Sequence, residues 1–153
     1  MNWLIDLLTN QFLLVSLSSW FVAQVLKTVL YAIDTKTLDW SRLFGDGGMP
    51  SGHSATVTSL CTFCGLDFGF DSFQFAVTGI LAIIVCHDAM GVRLEAGKQA
   101  SAINEILRSF QHKTWDQLPQ ATFKELVGHT PSQVAMGMLL GFLNAIFMYD
   151  YVI

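Results

Sequence analysis

Residues 11–33 constrain the fold most, because across this apolar stretch only Gln24 and Lys27 are strongly polar. At about 1.5 Å of rise per helical residue the stretch can cross a hydrocarbon core about 30 Å thick, where a chain must satisfy its own backbone hydrogen bonds. It is therefore expected to be a transmembrane helix. Two further spans should follow closely, Ser51 to about Phe70 and Ser72 to Val92, divided by the tight acidic turn Asp67-Phe68-Gly69-Phe70-Asp71. A fourth runs from about Pro131 to Tyr149, with Gly137-x-x-x-Gly141 as a small-residue face for close helix packing. In residues 94–127, Ala96, Ala100, Ile103, Leu107 and Phe110 recur at helical spacing opposite Glu95, Lys98, Glu105 and Arg108. An amphipathic helix lying on the membrane fits that pattern. The expected fold is all-α, a single-domain integral membrane bundle of about four transmembrane helices plus an interfacial amphipathic helix.

Composition narrows the function. Of the 153 residues 13% are charged, well below the roughly 25% of soluble domains. The net charge of −4 offers no broad basic surface, which disfavours nucleic acid as a partner. Residues 1–10 lack the basic start and small-residue cleavage site of a secretory signal, so the first apolar segment is expected to be retained. All eight basic residues fall in the C-terminal part of the first span or in residues 34–50 and 93–128, which makes those loops cytoplasmic by the positive-inside rule. Cys61, Cys64 and Cys86 lie within apolar runs and read as small core residues.

Two loops carry the chemistry. In Gly47-Gly48-Met49-Pro50-Ser51-Gly52-His53-Ser54 the glycines allow a tight turn and Ser51 can cap the helix that follows. Unpaired N–H groups at such a helix start attract anions, so the loop is a candidate phosphate cradle. Gly128-His129-Thr130-Pro131-Ser132-Gln133-Val134 again sets a histidine before a helix start. An even number of crossings brings both loops to the same end of the bundle. The third span ends there too, with His87-Asp88-Ala89-Met90-Gly91-Val92-Arg93. A carboxylate within an apolar helix is costly without a partner, so Asp88 is a functional candidate, whereas His87 points to another helical face. Lys27 can either snorkel to the interface or serve as a buried cation for phosphate.

Pro50-Ser51-Gly52-His53 together with Gly128-His129-Thr130-Pro131-Ser132-Gln133 resembles the second and third signatures of the type 2 phosphatidic acid phosphatase and vanadium haloperoxidase superfamily. The likeness is greatest to its small, divergent bacterial and plastid branch. It extends from Gln24 and Lys27 through Asp88-Ala89-Met90-Gly91-Val92-Arg93 and Gly97-Lys98-Gln99-Ala100 to Gly141. The resemblance implies a hydrolase of a lipid phosphomonoester or diphosphate that needs no metal and no other cofactor and acts through a phosphohistidine. It places the nucleophile at His129 and the acid that protonates the leaving oxygen at His53. It implies phosphate contacts from Ser51, the Gly52 N–H, Lys27 and Arg93, with Arg42 standing in for a missing first-signature arginine. Where the superfamily has an acid four residues after the nucleophile, this chain has Gln133, whose carbonyl can accept the imidazole N–H but cannot stabilise its positive charge as a carboxylate does. Asp88 is expected to supply that charge.

The expected partners are the lipid bilayer and a membrane lipid phosphate. An alternative is a non-catalytic membrane protein that binds an anionic lipid through a degenerate phosphatase site. A vanadium-dependent peroxidase fits poorly with so small a membrane chain. Which lipid, which membrane and which oligomeric state are not encoded in these motifs.

Overall fold

The computed structural model of the protein describes residues 2–43, 45, 47–111, 123 and 128–151, with the backbone alone at residues 41, 42 and 109–111. The described helices are α1 (Trp3–Leu8), α2 (Gln11–Thr35), α3 (Gly52–Phe68), α4 (Phe73–Met90), α5 (Val92–Gln111) and α6 (Pro131–Tyr151). A 3₁₀ turn, Trp40–Leu43, lies between α2 and α3. Polar side chains set the helix starts. The Asn10 side chain accepts from Leu13 N at 3.2 Å, Ser51 from Ser54 N at 3.4 Å and Ser72 from Phe75 N at 3.1 Å. Each satisfies a donor that the first turn leaves without a helical partner.

The stretches Gln11–Thr35, Phe73–Arg108 and Pro131–Tyr151 are long and apolar enough to cross a membrane. The fourth expected span, α3, has 17 residues, about 25 Å at 1.5 Å each. It is the innermost helix and packs on α2, α4 and α6. Outward positions of α4 and α6 are apolar, among them Ile80, Ile83, Ile84, Leu139, Leu143 and Phe147. Such a surface suits a bundle solvated by lipid. The protein is thus an all-α membrane bundle.

Close approach defines the centre. A side chain at Gly137 would collide with the Ser51 carbonyl, and one at Gly141 with the Ala55 carbonyl, so α6 lies almost backbone to backbone on α3. The two run parallel, joined at their starts by Ser51 N donating to Gln133 O at 3.0 Å. Trp20 rests against Gly52, while Val15, earlier in α2, packs with Phe63 and Ala145, so α2 runs antiparallel to both. At the end where α2 begins, the Phe12 ring meets Phe63 edge-on and stacks on Phe68, each at 5.2 Å between centroids. About two turns further along α2, Asn144 Nδ2 donates to Ser19 Oγ at 2.7 Å and Ser18 Oγ at 2.9 Å, tying α6 to α2.

The amphipathic segment differs in detail from its expected form. α5 follows α4 after a break at the single residue Gly91, and its protein-facing positions are Gly97, Ala100 and Asn104. Ile103 and Ile106 turn outward. Asn104 grips Phe123 by two backbone bonds of 2.9 Å, one donated and one accepted. Trp115, Pro119 and the rest of residues 112–127 lie outside the described residues.

Candidate active site

The middle of α2 and the starts of α3 and α6 enclose a polar cavity of about 100 Å³, lined by Trp20, Gln24, Lys27, Gly45, Gly52, His53 and His129. That volume admits a phosphoryl group but is well below the roughly 300–1,000 Å³ of pockets that enclose a drug-sized ligand. Beside it an open apolar groove of about 420 Å³ is lined by Leu17, Trp20, His53, Thr56, Val57 and Val85. His53 and Trp20 belong to both.

Local sequence explains how His129 is held. Thr130 and Gln133 form a reciprocal cap at the start of α6: Gln133 N donates to Thr130 Oγ1 at 3.4 Å, and Thr130 N to Gln133 Oε1 at 3.1 Å. Pro131 occupies the first helical position, where a missing N–H costs least. The same Gln133 Oε1 lies 3.2 Å from His129 Nδ1. An amide oxygen can only accept, so in the neutral ring Nδ1 carries the proton and Nε2 the lone pair. One glutamine therefore caps the helix and sets the tautomer. His129 is 3% exposed, and its N–H donates to Ala89 O at 3.0 Å. The His53 ring faces it from the first turn of α3, 6.4 Å away between centroids and tilted by 57°.

The loop before α3 closes over Lys27. Gly47 and Gly48 adopt φ of 82° and 83°, the left-handed region open to glycine, and a Cβ on Gly48 would press on Lys27 Cγ at 3.2 Å. Lys27 Nζ donates to Gly45 O at 3.3 Å, and the residue is only 6% exposed. It is buried within the protein and does not snorkel outward.

A family model described as the divergent PAP2 family matches residues 8–144. The chain belongs to this divergent PAP2 family. It is also 44% identical over 147 residues to the uncharacterized membrane protein YuiD of Bacillus subtilis (strain 168), with 90% of this chain and 93% of that protein aligned. No solved structure matches the chain significantly.

In this divergent PAP2 protein the cavity gathers His53, His129, Lys27 and Gly52, with Gln133 behind the His129 ring. Ser51 is fully buried, and its Oγ accepts from Ser54 N and Ser54 Oγ, so it serves as a helix cap and does not line the cavity. Arg42 lies on the 3₁₀ turn, with its side chain outside the described residues. Arg93 Nε donates to Asp88 Oδ2 at 2.6 Å in a pair 47% and 38% exposed, and neither residue lines the cavity. The structure thus sets Asp88 and Arg93 against each other and Gln133 against the His129 ring. The break at Gly91 lets Arg93 fold back on Asp88, while Gln133 takes the ring nitrogen. Sequence reasoning passed over Trp20 and Gln24 as cavity residues. Their spacing to Lys27, seven and three residues, is the signal that puts all three on one face of α2.

Proposed function

We propose that the protein hydrolyses a phosphomonoester or diphosphate of a membrane lipid, without a metal, through a phosphohistidine on His129. The observation that carries this reading is His53, which lines both the phosphoryl-sized polar cavity and the apolar groove. A lipid phosphate straddles such a boundary, its phosphoryl group beside Lys27 and His129 and its alcohol portion along Leu17, Val57 and Val85. The scissile oxygen then falls at His53. His129 Nε2 attacks phosphorus, the P–O bond to the lipid alcohol breaks, and protonated His53 gives its proton to the leaving oxygen. Water next attacks the P–N bond, passing a proton to His53 and releasing phosphate with Nε2 restored. Lys27 and the α3 N–H groups offset charge on the phosphoryl oxygens.

The test is phosphate release in detergent, in the presence of chelator, from phosphatidate, phosphatidylglycerophosphate and a polyprenyl diphosphate. Turnover of at least one, abolished by His129→Ala, is the expected result. Turnover only with added Mg²⁺, or unchanged in His129→Ala, would overturn the mechanism. A second reading, a non-catalytic protein that binds an anionic lipid, draws on Gln133, a neutral group where a carboxylate would better support a developing imidazolium. Binding of phosphatidate with no turnover of any of the three substrates would favour it.

A further inference from the structure

Gln24 is 6% exposed, and its Oε1 is fully buried with no hydrogen-bond partner among the described residues. A buried acceptor left in this state costs about 1–3 kcal/mol, a large share of the 5–15 kcal/mol that holds a typical fold. Leucine or methionine at this place on α2 would fill the space without that cost. The carboxamide, however, lines the same small cavity as Lys27, Gly45, Gly52, His53 and His129.

We infer that Gln24 is a direct ligand of the phosphoryl group, donating from its amide to a non-bridging oxygen that Lys27 also faces. The identity of the ligand rests on the hydrolase reading above. A carboxamide carries two donors and an acceptor, and turning it about χ3 exchanges oxygen for nitrogen at little cost. Lys27 is the one described cation lining the cavity, and a phosphoryl group presents several acceptor oxygens to it. A neutral donor three residues before Lys27 on the same helix face adds a directional hydrogen bond without adding repulsion between buried cations. A purely structural glutamine would instead spend its amide on a neighbouring helix.

The experiment compares the full chain with Gln24→Met and Gln24→Glu in detergent, titrating inorganic phosphate in one arm and micellar phosphatidate in the other, with diacylglycerol as the phosphate-free control. Gln24→Met keeps the length and should weaken binding about tenfold, the equivalent of about 1.4 kcal/mol, with an unchanged or higher melting temperature. Gln24→Glu should weaken it further, because it sets an anion against an anion. Affinity for inorganic phosphate assigns the site to the free ion as well as the lipid; affinity for phosphatidate alone assigns it to the lipid headgroup. Native affinity for both probes in Gln24→Met, or no affinity for either in the unaltered protein, would overturn the inference. Gln24-dependent binding without hydrolysis would keep it while overturning the hydrolase reading. Hydrolysis with unaltered KM in Gln24→Met would do the reverse.

Discussion

Two carboxamides within the helix bundle behave differently. Asn144 of α6, half-buried, donates to Ser18 and Ser19 of α2. Gln24, at the middle of α2, leaves its oxygen without a partner among the described residues and lines a cavity with a lysine and two histidines. At Asn144 the polar group serves packing, since a hydrogen bond between helices replaces one that lipid cannot offer. At Gln24 hydrogen-bonding capacity is held back from packing. Unmet polarity at one site costs stability there, and sites that bind or react commonly carry that cost. The comparison predicts that changes at the two carboxamides separate function from stability.

The largest effect is expected at the cavity. His129→Ala should lower phosphate release by about 10³-fold or more, since it removes the proposed nucleophile. Its melting temperature in detergent should stay within a few degrees of the unaltered protein. A melting temperature that collapses together with activity would erase the proposed division.

Next comes the seam between α3 and α6. Gly141→Leu would press a branched side chain into the Ala55 carbonyl, and overpacking of this kind costs up to about 3 kcal/mol. Loss of a monodisperse folded peak in detergent would be the sign of it, and a normally stable Gly141→Leu would contradict the packing described. At the far carboxamide, Asn144→Leu should lower stability by about 1 kcal/mol, the scale of a hydrogen bond between membrane helices. Its kcat/KM should remain within about twofold, and a selective loss of activity would mean that this contact is coupled to the cavity.

Asp88→Asn should be the mildest. Its partner Arg93 is half exposed, and pairs of that kind are worth about 1 kcal/mol or less. Turnover close to native, with Gln133→Ala clearly slower, would sharpen the assignment of ring orientation to Gln133. A sharp loss in Asp88→Asn would restore the carboxylate to the reaction.

Much of the architecture was legible beforehand, for reasons that differ by residue. Residues 11–33 announced a membrane helix because hydrocarbon tolerates little else, and the acidic turn at Asp67–Asp71 divided the next two helices near their observed ends. His53 and His129, expected at one end of the bundle, do face each other, and the small residues Gly137 and Gly141 do lie where α6 meets α3. What could not be read was which polar groups meet. Asp88 and Arg93 look like site residues in a string of letters, and only the backbone break at Gly91 turns one onto the other. Gln24 carried the opposite ambiguity. A glutamine in an apolar helix says nothing of its partner until the neighbouring side chains are in place, and here the informative fact is an acceptor that none of the described residues meets.

The parallel, near-contact packing of α3 and α6 has an electrostatic consequence. Each helix start behaves as roughly half a positive charge, and these two like ends lie side by side, in surroundings where salt screens little. Left to themselves they repel. An anion between them would reverse the sign of that interaction and draw the two macrodipoles together. Helix pairing and anion affinity would then be a single linked quantity: whatever loosens the glycine seam weakens the hold on the anion, and a tightly held anion reinforces the seam several turns away.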